Sequence, residues 1–125
     1  MPKRVLVIDD EPLIRDVVCK FLRRSGYDTD TAANGMEGID RFREVPADLV
    51  ITDLTMPEMD GMQTVKELLA EFPQAKVITM SGGGDRFPEH CLRESVELGA
   101  AGSLKKPIRG RDLVIEVQRI IGTAE

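Results

Sequence analysis

Residues 5–12 read VLVIDDEP, a short aliphatic run that passes directly into three consecutive carboxylates. A short, continuous run of aliphatic and β-branched residues is typical of a parallel strand that is covered on both faces. Similar runs at 49–51 and 77–80 predict two more central strands. The carboxyl ends of parallel strands form the ligand crevice of an open α/β sheet, so we expect the carboxylates after the first run to have a function.

Between these runs the apolar residues recur every three or four positions, which predicts helices. The first helix has Pro12 in its first turn and Gly26 as its C-terminal cap. The apolar positions of the five predicted helices are Leu13, Ile14, Val17, Val18, Phe21 and Leu22; Met36, Ile39 and Phe42; Met62, Val65, Leu68, Leu69 and Phe72; Leu92 and Val96; and Leu113, Val114, Val117, Ile120 and Ile121. Weaker patterns at 27–33 and 100–104 predict an edge strand and a fifth strand.

Five strands alternating with five helices predict an α/β fold, a flavodoxin-like (βα)5 three-layer sandwich around a parallel five-stranded sheet. The expected strand order is 2-1-3-4-5, which makes the first and third strands neighbours. The chain has 125 residues and no linker rich in Pro, Gly and Ser, so we expect residues 1–125 to form a single domain.

Composition excludes several function classes. The net charge of −5, with basic residues scattered along the chain, argues against nucleic-acid binding. The apolar runs are too short to span a bilayer and the first residues lack the apolar core of a signal peptide, so we expect a cytoplasmic protein without a membrane partner. Cys19 and Cys91 have no CxxC spacing and are expected to be reduced packing thiols.

Polar residues at the ends of four predicted strands could share one crevice. They are Asp9, Asp10 and Glu11; Asp53; Ser81; and Lys105, Lys106 and Pro107. In the expected strand order Asp9, Asp10 and Asp53 converge, and their mutual repulsion requires a positive charge nearby. Mg²⁺ suits such a site because it binds one or two carboxylates and leaves positions for phosphate oxygens. A lysine and a hydroxyl at the same point are typical of phosphoryl transfer.

In these residues the sequence resembles the receiver domain of two-component response regulators. The matching stretches cover essentially the whole chain: VLVIDDEP at 5–12, DLVITDLTMPEMDGM at 48–62, VITMSG at 77–82 and GAAGSLKKPI at 99–108. The resemblance implies a phosphoprotein of phosphorelay signal transduction that promotes only its own phosphorylation and dephosphorylation and is otherwise not an enzyme. Its implied partners are a sensor histidine kinase or a histidine phosphotransfer protein, and an output protein or output domain.

The resemblance also implies roles for individual residues. Asp53 would be the phosphoacceptor and would form an aspartyl phosphate. Asp10, Asp53 and the backbone carbonyl of Thr55 would bind Mg²⁺, with Asp9 acting mainly through a metal-bound water. Ser81 would contact the phosphoryl oxygens.

Around the predicted fifth strand, the resemblance implies that Lys106, rather than Lys105, pairs with the phosphate. It further implies a cis peptide bond before Pro107. Ser103 stands where receivers usually carry Tyr or Phe, and the segment 81–106 is longer than usual. We therefore hypothesise that the signal passes through the glycine-rich loop at 82–84 and the predicted fourth helix.

Three alternatives remain open at this point. Asp9 or Asp10 could cap the first helix, a role compatible with metal binding. The chain could be a pseudo-receiver that binds partners without being phosphorylated. Less favoured is a haloacid-dehalogenase-like phosphatase, which needs a second Asp two positions after the nucleophile, where this chain has Thr55.

Overall fold

The computed structural model describes residues 2–54, 61–81 and 99–125. The described elements are, in chain order, β1 (Arg4–Ile8), α1 (Pro12–Arg24), β2 (Asp28–Ala32), α2 (Gly35–Glu44), β3 (Leu49–Asp53), α3 (Gly61–Glu71), β4 (Val77–Ser81), β5 (Gly102–Lys105) and α4 (Gly110–Ile121). Thr55, Cys91, the glycine-rich loop at 82–84 and the helix predicted around Leu92 and Val96 lie outside the described residues.

The five strands form one parallel sheet in the order β2-β1-β3-β4-β5. This order confirms the predicted topology. Strands β3 and β4 are buried along their whole length, which explains why their sequences are almost continuously apolar. β3 extends two residues beyond the predicted run, to Asp53, and β4 one residue, to Ser81.

Two apolar cores lie on opposite faces of the sheet. One packs strand residues against α1 and α4, and its members include Val5, Val7, Ile51, Met80, Val18, Leu22, Leu113 and Val117. The other packs strand residues against α2 and α3, and its members include Leu6, Ile8, Val50, Val77, Ile39, Phe42, Val65 and Leu68. The three-layer arrangement is therefore the one expected from the alternating pattern.

Helix α1 begins as the sequence predicts, with Pro12 in its first turn, but its C-cap residue is Ser25, and the predicted cap, Gly26, is the residue after it. Gly26 has a φ of 95°, a conformation that glycine adopts without steric cost. The predicted apolar face of α1 is, however, wider than the face that is buried. Leu13 is 77% exposed and Val17 is 44% exposed, since the described part of the chain packs over only the neighbouring side of the helix.

The predicted fifth strand is shifted along the chain. It was expected at 100–104, but β5 runs from Gly102 to Lys105, because the chain is still turning after Gly99, whose φ is 114°. The Ala101 N–H donates to the Val77 carbonyl at 2.7 Å and guides the chain into the sheet.

β2 is the edge strand that the sequence predicts, and Asp30 carries its main charge interactions. The Asp30 carboxylate lies 2.6 Å from Arg4 Nη2 and 3.1 Å from Arg41 Nη1. Burial alone would raise the pKa of Asp30, but the hydrogen bonds from Thr31 N–H and Arg4 and the two arginine charges outweigh burial and lower it.

The last residues pack against the end of the sheet at which the strands begin. The buried Tyr27 hydroxyl donates to the Gly122 carbonyl at 2.6 Å, and the Lys3 N–H donates to the Ala124 carbonyl at 2.7 Å. Ala124 is buried as part of the α1 and α4 core. None of the helices in the described ranges is both long enough and apolar enough to cross a membrane.

Candidate functional site

Polar residues collect at the carboxyl edge of the sheet. Asp9 follows β1, Asp53 ends β3, Ser81 ends β4 and Lys106 follows β5. Because β1 and β3 are neighbours, with Ile8 paired to Thr52, Asp9 and Asp53 emerge side by side. All four residues are buried or half-buried, so the polar groups at the strand ends are largely shielded from solvent.

Lys106 joins the two buried carboxylates. Its Nζ lies 3.0 Å from Asp9 Oδ2 and 3.2 Å from Asp53 Oδ2, and its side chain is only 14% exposed. The Lys106 N–H donates to the Ser81 carbonyl at 2.7 Å, which extends the ladder between β4 and β5 by one residue. The Lys106–Pro107 peptide bond is cis, as the resemblance implies.

Lys105 lies differently although it is the adjacent residue. It ends β5 in register with Ser81, and it is exposed. Successive strand residues point to opposite sides of a sheet, so the two lysines cannot share one environment. The lysine that contacts the acidic residues is Lys106.

Asp9, Asp10 and Asp53 each place a carboxylate oxygen within 4.8 Å of the others. Asp9 and Asp53 are buried and Asp10 is exposed, and Glu11 is not part of this group. Hard oxygen ligands at this spacing suit a divalent cation such as Mg²⁺. The donor set is therefore compatible with a metal site, as the sequence predicted.

Burial and the neighbouring groups shift the pKa values of Asp9 and Lys106. Burial and the charge of Asp53 raise the pKa of Asp9, and they outweigh the hydrogen bonds from Glu11 N–H and Lys106. Burial would lower the pKa of Lys106, but its contacts with Asp9 and Asp53 outweigh burial and raise it. The lysine is therefore held in its ammonium form beside the two carboxylates.

The helix-capping alternative is realised in a modified form. Glu11 occupies the N-cap position of α1 and makes no capping hydrogen bond through its side chain. Asp9 Oδ1 instead accepts a hydrogen bond from the Glu11 N–H at 2.9 Å, while Asp9 Oδ2 faces Lys106. Asp9 thus orders the start of the helix and contributes to the acidic cluster at the same time.

Two residues at the site were not predicted from the sequence. Arg15, one turn into α1, donates through Nη1 to the backbone carbonyl of Asp9 at 2.7 Å. Gly61, the first residue of α3, donates its N–H to the Leu54 carbonyl at 3.1 Å. No spacing rule connects Arg15 with a strand end, and a glycine before a helix by itself indicates only a turn.

Gly61 packs main chain against main chain. A Cβ atom added there would lie 2.1 Å from the Asp53 carbonyl oxygen and 2.4 Å from the Leu54 Cα. Only glycine permits this approach. The start of α3 therefore rests directly on the strand end that carries Asp53.

Comparisons with known proteins agree with the geometry. Residues 5–118 match the family model described as response regulator receiver domain. The chain is 31% identical over 121 residues to the chemotaxis protein CheY of Thermotoga maritima, covering 96% of this chain and 98% of the relative. It is 33% identical over 107 residues to sporulation initiation phosphotransferase F of Bacillus subtilis, covering 86% of this chain and 84% of that protein.

Solved structures give the same result. A response regulator receiver domain protein from Clostridium thermocellum superposes with a TM-score of 0.87 at 33% identity, covering 95% of this chain and 94% of that one. Chemotaxis protein CheY4 of Vibrio cholerae superposes with a TM-score of 0.86 at 30% identity, covering 96% and 99% of the two chains. The chain therefore belongs to the response regulator receiver domain family.

Proposed function

We propose that Asp53 accepts a phosphoryl group from a histidine kinase or a histidine phosphotransfer protein. The observation that carries this assignment is the position of Lys106, whose Nζ bridges the Asp9 and Asp53 carboxylates at 3.0 and 3.2 Å. A cation in this position stabilises negative charge that accumulates on a phosphoryl group beside Asp53.

In the proposed step a carboxylate oxygen of Asp53 attacks the phosphorus of the donor's phosphohistidine. A P–O bond forms on Asp53, and the P–N bond breaks with its electron pair returning to the imidazole nitrogen of the donor. The Lys106 ammonium stabilises the phosphoryl oxygens throughout, and the buried Ser81 hydroxyl is the expected hydrogen-bond donor to one of them. The chain thus promotes only its own phosphorylation and, by attack of water, its own dephosphorylation.

The proposed cofactor is Mg²⁺. Asp9, Asp10 and Asp53 would hold it, and the backbone carbonyl of Thr55, outside the described residues, is the further ligand implied by the family. When bound, Mg²⁺ neutralises charge on the carboxylates and on the phosphoryl group. This chain's own contribution is to keep the three carboxylates together on rigid strand ends despite their repulsion.

The proposed kinase contact is the exposed side of α1. Leu13 and Val17 lie one turn apart on that side and are both solvent-exposed, close in sequence to the acidic residues after β1. Contiguous exposed apolar surface marks protein contact sites. The second proposed partner is an output protein or output domain. We do not propose nucleic acid or a membrane as a partner. We place the exchange in the cytoplasm, where histidine kinases have ATP.

The test is intact mass after incubation with acetyl phosphate, with and without Mg²⁺. The comparison includes Asp53→Asn and, as a matched control, Asp112→Asn, which alters an exposed carboxylate on α4. A Mg²⁺-dependent phosphate adduct that persists in Asp112→Asn and is absent from Asp53→Asn supports the proposal. No adduct under any condition would identify a pseudo-receiver, and turnover of added phosphomonoesters would identify a phosphatase.

A further inference from the structure

Arg15 is held at the rim of the acidic site by a single side-chain hydrogen bond. Its Nη1 donates to the Asp9 carbonyl at 2.7 Å. The Asp9 N–H is already used by β2, where it donates to the Ala32 carbonyl at 3.1 Å. The guanidinium is therefore attached to the main chain at the point where β1 ends and the acidic cluster begins.

Arg15 lacks the ion pair that four other arginines of the described residues form. Arg4, Arg41, Arg43 and Arg119 each form an ion pair with a carboxylate. Arg15 forms none within the described residues. Arg23 likewise donates to a main-chain carbonyl, that of Cys19, but it is exposed, whereas Arg15 is half-buried and bonds the first residue of the acidic cluster. A guanidinium carries several N–H donors in one plane, and only Nη1 has a protein acceptor in this part of the chain.

The charges of the site explain what the remaining donors could bind. Three carboxylates face one ammonium group, so the site is acidic, and a bound divalent cation would bring it only to balance. An incoming phosphoryl group adds further negative charge. Arg15, which bonds the Asp9 carbonyl, places a cation at the start of the acidic cluster, and a planar guanidinium matches two phosphoryl oxygens at once.

We propose that Arg15 binds the phosphoryl group of the incoming phosphodonor and sets the affinity of the site for anionic donors. This inference rests on the proposed function, because it concerns the substrate of the same site. Arg15 is here a specificity residue: it retains the donor beside Asp53, while Lys106 and Asp53 act in the transfer itself.

The kinetic test compares Arg15→Gln and Arg15→Lys with Arg24→Gln. The control removes the same charge from the exposed end of α1, about 13 Å further along the helix axis. We expect Arg15→Gln to raise the acetyl phosphate concentration for half-maximal phosphorylation about tenfold, with a nearly unchanged maximal rate. The half-saturating concentration of Arg15→Lys should lie between those of the wild type and Arg15→Gln. Added KCl should reduce the difference between the wild type and Arg15→Gln. A lower maximal rate at an unchanged half-saturating concentration would overturn the proposal, since it would show a purely structural role at Asp9.

A binding test needs no phosphoryl transfer. Acetyl phosphate is titrated into Asp53→Asn protein, with and without Arg15→Gln, while NMR follows the Asp10 amide in both proteins and the Arg15 Nε–H in the protein that retains Arg15. A shift of the Arg15 Nε–H, together with an Asp10 shift that needs more acetyl phosphate in the double variant, supports the proposal even if the wild-type chain takes no phosphoryl group. Equal affinity in the two proteins would overturn it, whether or not the wild-type chain is phosphorylated.

Discussion

Replacing Gly61 by alanine is expected to displace the phosphoacceptor. The new Cβ would lie 2.1 Å from the Asp53 carbonyl oxygen, whereas Cβ contacts below 3.0 Å essentially never occur. The strand end and the start of α3 must therefore separate by about 0.9 Å or more. Both contacting groups, the Asp53 carbonyl at the end of β3 and the Cα of the next residue, Leu54, are main chain, so no change of side-chain rotamer can relieve the clash.

A displacement of this size acts on the Lys106 contact. The Nζ to Asp53 Oδ2 distance is 3.2 Å, and a further ångström takes it beyond hydrogen-bonding range. Misplacement of a reacting group by about 1 Å costs roughly 100-fold in rate, so we expect Gly61→Ala to be phosphorylated about 100-fold more slowly. Overpacking should also lower the free energy of unfolding by about 1–3 kcal/mol.

The assay is the rate of phosphate-adduct formation from acetyl phosphate, followed by intact mass, with folding checked by circular dichroism and urea denaturation. Gly26→Ala is the matched control. Its φ of 95° makes alanine strained there, and among the described residues its Cβ would meet only Ala124, at the opposite end of the strands. It should lose about 1–2 kcal/mol of stability and keep its phosphorylation rate. A folded Gly61→Ala protein phosphorylated at the wild-type rate would refute the reasoning.

Three further outcomes are expected. Lys106→Ala should slow phosphorylation at least about tenfold, because the charge beside Asp53 is lost, whereas Lys105→Ala should match the wild type in the same assay. Tyr27→Phe should lower the free energy of unfolding by about 1 kcal/mol in urea denaturation, because the bond to the Gly122 carbonyl is lost; an unchanged midpoint would contradict this. The folded-state pKa of Asp30 is lowered, so Asp30 stabilises the fold above its unfolded-state pKa of about 3.9, and this contribution disappears as pH falls through the lower folded-state pKa. Asp30→Asn should therefore be less stable than wild type at neutral pH and equal to it in strong acid, and a difference that persists in acid would point to another cause.

The sheet could be predicted from sequence because its central strands have only one compatible environment. Runs such as 49–51 and 77–80 are apolar on both faces, and only a strand between two helix layers buries both. The width of a helix face has no such constraint. Leu13 and Val17 fit the helical period of α1 as well as Val18 and Leu22 do, but how much of a helix is covered depends on its neighbours in space.

The acidic site could also be predicted in part. Asp9 and Lys106 are 97 residues apart, yet each directly follows a strand, so the strand order alone brings them to the same edge. Their chemistry is visible in the residue type. Convergence of a carboxylate and a lysine thus follows from the topology before any side chain is placed.

The residues that position the site act through the main chain, and for that reason they leave little trace in the sequence. Arg15 binds the Asp9 carbonyl, Gly61 rests on the Asp53 carbonyl, and the Lys106 N–H binds the Ser81 carbonyl. Every residue has the same main-chain carbonyl, so the sequence does not show which residue acts as the acceptor. Only the donor side chain, or a glycine without a Cβ, is visible in the sequence. Among these contacts Gly61 is the one whose residue type is required by geometry, which makes its substitution the most direct test of how the fold holds Asp53 in place.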